Sequence, residues 1–230
     1  MSPPIHIHPT APLAERVLLP GDPGRALMLA QTLLDQPRMF NHNRGLWGYT
    51  GAAPDGASLT IQSSGMGGPS AAIVVSELVE LGARRIVRAG TCGALDPAPQ
   101  LGELVLVGES LAADGTSRAL GAGDRVPAHP GLLRAFARAG ATRARTVVST
   151  DLFYGHVSAH EHDWRAAGAV AVEMECATVF ALAARLEVDA AAVLIVSDLL
   201  RNERIRIGPE ELRSAERRMG ELAIRALARV

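Results

Sequence analysis

The chain has 230 residues, of which 48% are hydrophobic and 20% charged, with a formal net charge of −1. This size and composition fit one soluble α/β domain spanning residues 1–230, and a charge this close to neutral argues against a dedicated nucleic-acid binder. No apolar run reaches the roughly 18 to 20 residues that cross a bilayer, and the opening MSPPIHIHPTAP lacks the features of a secretory signal, so the expected location is the cytoplasm.

Short apolar runs alternate with longer helical patterns, which predicts a mixed, twisted central β-sheet flanked by helices. In chain order, the expected elements are a strand at Arg16–Leu19, a helix at Gly24–Leu34, and strands at Trp47–Gly51 and Ser58–Gln62. A helix at Pro69–Leu81 follows, opened by proline in its first turn, then strands at Arg85–Ala89 and Glu103–Val107. Leu111–Pro130, rich in Ala, Gly and Asp, reads as a surface excursion. Beyond it come a helix at Gly131–Ala139, strands at Thr146–Ser149 and Ala169–Val172, a helix at Cys176–Leu186, a strand at Ala190–Val196 and a helix at Glu210–Ala228.

Several of these junctions carry chemistry. LLPGDPGRA, Leu18 to Ala26, runs from a strand through a Gly-Asp-Pro-Gly turn into a helix with Arg25 in its first turn. Free backbone N–H groups beside a guanidinium make an anion site, although a plain strand-to-helix turn uses the same residues. In SSGMGGPS, Gly65, Gly67 and Gly68 allow close backbone approach at a helix start. A dinucleotide fingerprint is weak there, because Ser70 replaces the third glycine. RRIVRAGTCGAL then puts Arg88 near the end of an apolar strand, with Thr91 beyond it. A buried arginine at that position is costly unless it meets an anion or a carboxylate.

The strand of AVAVEMECA ends in Glu173-Met174-Glu175, immediately before a helix. One glutamate can serve as the acid favoured at a helix start, but two at i, i+2 can also grip sugar hydroxyls or stabilise positive charge on an adjacent ring. AAVLIVSDLL ends a buried strand in Ser197-Asp198, where partial desolvation suits a general acid and a turn cap is the plain alternative. HVSAHEHDW holds His156, His160 and His162, and the i, i+4 spacing of His156 and His160 could bind a metal on a helix, but no HExxH or CxxC context supports one. A mobile flap with surface histidines and no metal is the expectation.

Two absences narrow the chemistry further. All 23 basic residues are arginines, which excludes a P-loop lysine, a lysine Schiff base and a pyridoxal-phosphate anchor. Cys92 and Cys176 form no CxxC, so neither a structural zinc nor a disulfide is expected.

PGDPGRA, NRGLWGYTG, GMGGPSAAIVVSELVELGARRIVRAGTCGAL, STDLFY, VEMECA and VSD occur in one order from Pro20 to Asp198. Together they resemble the nucleoside phosphorylase family, which includes the bacterial hexameric purine nucleoside phosphorylases and the uridine phosphorylases. The resemblance implies that fold, inorganic phosphate as co-substrate with no cofactor, and phosphate binding by Gly21, Arg25, Arg88 and Thr91. It also implies a homo-oligomer built from dimers, often a hexamer, in which a neighbour supplies Arg44 to phosphate and His6 (or His8) to the sugar. Met174 and Glu175, with Glu173 beside them, resemble the ribose-holding residues. Phe153 resembles the aromatic near the base, and Asp198, with Ser197 beside it, resembles the acid that meets N7 of a purine.

The Gln and Arg with which uridine phosphorylases read uracil are missing after Phe153-Tyr154, and they lack an acid at Asp198, so the purine enzymes are the nearer resemblance. Nucleosidases of this fold use water and lack the arginine set. A non-catalytic binding protein would have lost the acid or the arginines, and this chain keeps both. In the purine enzymes an arginine of the final helix pairs with the acid. Arg217 resembles it, while the long Arg201–Pro209 connection leaves Arg204, Arg206 and Arg213 as alternatives.

Overall fold

The computed structural model describes residues 4–141, 143–154, 157–200 and 203–229. Strand β1 (Arg16–Leu19) is buried throughout and turns into helix α1 (Pro23–Leu33), where the Asp22 carboxylate accepts the Arg25 backbone N–H at 2.6 Å. Then follow β2 (Asp35–Asn41), a 3-10 turn at Asn43–Gly45, β3 (Gly48–Ala52), β4 (Ser58–Gln62), α2 (Gly68–Glu80) and β5 (Arg85–Ala94). The second half runs β6 (Leu104–Ala113), α3 (Gly115–Ala119), β7 (Arg125–Pro127), α4 (Pro130–Arg138), β8 (Arg145–Thr150) and α5 (Val157–Ala166). It ends with β9 (Ala169–Glu173), α6 (Cys176–Arg185), β10 (Asp189–Leu200), β11 (Arg204–Arg206) and α7 (Pro209–Leu227).

All the strands join one mixed sheet, as the alternating pattern predicts, and part of it closes on itself. Pairings β5–β10, β10–β6, β6–β8, β8–β9 and β9–β5 complete a ring, from which β1, β4, β3 and β2 extend as a wing. Strand β10 lies parallel to β5 over nearly its whole length, pairing Ala192 with Arg88 and Asp198 with Gly93 across an irregularity at Val196/Asp198. The core is aliphatic, with Phe40, Phe136 and Phe180 its largest fully buried side chains. Helix α7 packs closely on α1, because a Cβ on Gly220 would lie only 2.5 Å from Leu33 Cδ1 and 2.7 Å from Leu29 Cδ2.

Three expectations need correction. Leu111–Pro130 is not a plain surface excursion: Leu111 and Ala112 continue β6 in the core, and buried Asp114 caps α3 by accepting the Ser117 N–H at 2.7 Å. The histidine-rich stretch forms helix α5 rather than a flap, with His160 stacked on Trp164, while His156 lies outside the described residues. Strands β5, β6 and β10 also run past their expected ends, because small residues such as Gly90, Gly93 and Ala94 continue the ladder without an apolar signature.

Candidate active site

A cavity of about 370 Å³ opens where β5 and β10 finish, bordered by the turn after β1, the loop before α2 and the end of β9. Ligands in open α/β sheets bind at such carboxyl ends. The first wall is pure backbone: the Gly65 N–H donates to Gly21 O at 3.0 Å, and a Cβ on Gly21 would lie 3.2 Å from Gly65 O. Side chains here would push the two loops apart.

Arg25, Arg88 and Thr91 all line this cavity with Gly21. Arg25 comes from the first turn of α1, and its Nε–H donates to Glu216 Oε1 of α7 at 2.7 Å. Arg88 projects from β5 and folds back over Gly90, where a Cβ would lie 2.7 Å from its Nη2. The anion or carboxylate that a buried arginine demands is supplied here by protein. Arg88 Nε–H donates to Glu173 Oε2 at 3.1 Å, and its Nη2 lies 3.0 Å from the same oxygen and also pairs with Glu175. Burial works against the Arg88 charge, but the two carboxylates outweigh it and hold the guanidinium more firmly protonated than usual.

The two glutamates divide their work. Glu173 accepts the Glu175 and Cys176 N–H groups at 2.9 Å and also bonds Ser149, so its carboxylate caps the start of α6. Glu175 accepts the Gly67 N–H at 2.6 Å, which ties α2 to the site, and it lines the cavity with Met174. Burial, then the Glu173 charge, raises the Glu175 carboxyl above its ordinary range, with Arg88 opposing but not cancelling the shift. Cys92 also borders the cavity, but burial and the Glu173 charge push its thiol up, so it is no thiolate nucleophile.

At the end of β10, Asp198 is 7% exposed, and the Ser197 hydroxyl donates to its Oδ2 at 2.7 Å. Oδ1 lies 3.1 Å from Arg206 Nε and 3.9 Å from Arg204 Nε, but neither is aligned as a hydrogen bond. Oδ1 therefore feels positive charge while keeping an unfilled lone pair. Ser197, expected to touch the nucleoside, lines the cavity, and its hydroxyl bonds Asp198 and Cys92 O, the latter at 3.3 Å. Phe153 lines the same end, half-exposed, with the Arg204 guanidinium 4.5 Å above its ring. Such a cation over an aromatic face is attractive and orients both groups.

The family model described as the phosphorylase superfamily matches residues 15–230. The chain belongs to this superfamily. "Purine nucleoside phosphorylase DeoD-type" of Alkaliphilus metalliredigens is 36% identical over 197 residues, covering 82% of this chain and 84% of the relative. The protein of the same name from Geobacillus kaustophilus is 36% identical over 218 residues, covering 91% and 89%. In structure, a uridine phosphorylase from Vibrio fischeri matches with a TM-score of 0.82 at 24% identity, covering 95% of this chain and 93% of that one. That likeness shows a shared fold.

Three of the residues expected in the site of this phosphorylase lie outside the cavity. Arg217 is exposed on α7, and Arg206 and Arg204 of β11 stand beside Asp198 in its place. Successive helical residues point about 100° apart, and it is Glu216 that faces inward. His6 is fixed away from the cavity, with Nδ1 2.6 Å from Glu77 Oε1, and Arg44 is exposed in the 3-10 turn with a left-handed φ of 56°. Asn43 Nδ2 donates to His6 O at 3.0 Å, so the 3-10 turn that carries Arg44 lies against the N-terminal arm that carries His6. Reading the sequence alone missed Glu216 altogether, because its side chain belongs to a charged helix whose inward face only packing reveals.

Proposed function

We propose that this phosphorylase cleaves purine nucleosides reversibly with inorganic phosphate, giving free base and (deoxy)ribose 1-phosphate. One observation carries the reading. A single cavity gathers Arg25, Arg88 and Thr91, the Glu175 carboxylate, and the buried Asp198 with an unfilled lone pair. The names of the relatives point the same way.

In this reading phosphate sits against Gly21, Arg25, Arg88 and Thr91, whose planar guanidinium forks suit paired oxyanion bonds. Arg88 exchanges part of its carboxylate pairing for phosphate, which frees Glu175 to accept the sugar 2′ and 3′ hydroxyls. As the bond to the base lengthens, positive charge grows on the sugar ring and is met by the phosphate below and by Glu175. Asp198, protonated, donates toward N7 of the departing purine. Arg206 and Arg204 attend this acid in the role first assigned to Arg217. Phe153 flanks the base.

In this reading inorganic phosphate is the co-substrate, and neither a cofactor nor a metal takes part. We further assign the protein to the cytoplasm as a homo-oligomer built from dimers, a hexamer in its complete form. The exposure of Arg44, on a turn that lies against the His6 arm, supports this, since neither residue lines the cavity of its own chain. The test is a panel of adenosine, inosine, guanosine and uridine incubated with and without phosphate, following free base and ribose 1-phosphate. Phosphate-dependent release of purine is expected. Free ribose formed without phosphate would mark a nucleosidase, and uridine as sole substrate would overturn the purine assignment.

A further inference from the structure

Arg25 and Glu216 meet across two helices distant in sequence, and both side chains are nearly buried, at 10% and 11% exposure. Their meeting follows from the packing of α7 on α1. Gly220 lets the helices approach at Leu29 and Leu33, and one turn earlier on each helix stand Glu216 and Arg25. The Arg25 Nε–H donates to Glu216 Oε1 at 2.7 Å, and the Nη1 lies at 3.5 Å from Ala89 O. Arg25 borders the cavity and Glu216 does not.

A carboxylate beside a dianion site is unfavourable in itself, since it repels the ligand and costs desolvation. A guanidinium gripped through Nε behaves differently from one gripped at its fork. The Nε bond fixes the side-chain rotamer and the plane of the group, and it leaves the terminal nitrogens for a second anion. We infer that Glu216 is a positioning residue that holds Arg25 from behind and aims its terminal nitrogens at the phosphate subsite. This rests on the phosphorolytic reading of the cavity. It concerns how phosphate is bound and does not touch the chemistry at the base.

The experiment varies inorganic phosphate at saturating nucleoside in wild type, E216A, E216Q, R25A and R25A/E216A. Loss of a charge-assisted bond that pre-orients the ligand's arginine should raise the phosphate KM of E216A about tenfold. The nucleoside KM and kcat at saturating phosphate should stay within about twofold, as expected for lost ground-state positioning. E216Q, which keeps an acceptor for Nε–H, should recover most of the loss, and the double variant should be no worse than R25A alone. An unchanged phosphate KM in E216A, an equal rise in nucleoside KM, or additive losses in the double variant would each overturn the inference. If E216A melts well below wild type, E216D decides instead, since its shortened carboxylate must raise the phosphate KM alone. Phosphate affinity measured by calorimetry keeps this separate from the activity: wild-type base release without phosphate would sink the functional reading, whereas equal phosphate affinity in wild type and E216A would sink only the role of Glu216.

Discussion

Asp198 and Arg88 face opposite problems of burial, and the fold answers them differently. Arg88 is fully neutralised by carboxylates, whereas Asp198 keeps an oxygen with no aligned donor although cations stand nearby. A positioned acid contributes about 10²- to 10⁴-fold, so Asp198→Asn should lower kcat for purine nucleosides by that range while phosphate KM barely moves. Steady-state kinetics with both substrates varied checks it, and near-normal turnover would remove Asp198 from the role of acid. Gly90 gives a second test. A Cβ there would collide with the Arg88 guanidinium, so Gly90→Ala should raise the phosphate KM by about tenfold or more through displaced hydrogen bonds. Thermal melts run alongside separate this from simple unfolding.

Much of this was legible residue by residue. Arg25, Arg88, Glu175 and Asp198 stand at junctions where a buried strand or a tight turn meets a charged side chain, and such junctions announce themselves. The separation of roles between Glu173 and Glu175 was legible only as a pair of alternatives, since spacing cannot tell which carboxylate reaches the helix start.

Among the elements, α5 and the short or edge pieces were those whose signals failed. Strand β2 lies at the rim of the sheet, carries Pro37 and buries only Phe40 and Asn41, so its sequence has no alternation to read. Strand β11 is exposed along its length and exists because its backbone pairs with β10, placing Arg206 opposite Asp198. No apolar alternation marks its three residues as a strand, so from sequence Arg204 and Arg206 stand only as alternatives to Arg217 of α7.

The N-terminal arm makes a prediction of its own. The amides of Ile5, His6 and Ile7 all donate to the Glu77 carboxylate, at 3.2, 2.9 and 2.7 Å. Burial alone would raise that carboxyl, but the His6 ring and these amides outweigh it and hold it below its usual range. The sign follows directly: the tether is at full strength above the ordinary carboxylate range and is lost as pH falls through the lowered folded value. Protection of the residue 5–7 amides, taken as exchange relative to the intrinsic rate at each pH, should therefore fall in acid, and Glu77→Gln should show the reduced protection already at neutral pH, by about 1 to 3 kcal/mol. Equal exchange in the two proteins would show that the arm is held by something else.

For the molecule as a whole, the mixed sheet flanked by helices followed from the sequence pattern, and the closure of five strands into a ring did not. Closure depends on β10 pairing with β5 on one side and β6 on the other, a matter of long-range register that no local window contains. The proposed oligomer belongs to this scale as well. Arg44→Ala should abolish phosphorolysis while leaving the melting temperature within a few degrees, because the side chain is exposed. Mixing unfolded Arg44→Ala and Asp198→Asn chains and refolding them together should restore part of the activity, through sites that take both intact residues. Recovery of none would mean that each chain works alone.

The paired strands β5 and β10 also act as a gauge. Arg88 and Gly93 are separated by roughly 16 Å of extended backbone, and Gly93 is locked opposite Asp198, so the distance from anion to acid is set by peptide geometry. Side chains can swivel, but a hydrogen-bonded ladder cannot stretch. Analogues with an extra methylene between sugar and base should thus occupy the pocket and remain uncut, which makes them inhibitors by virtue of length alone.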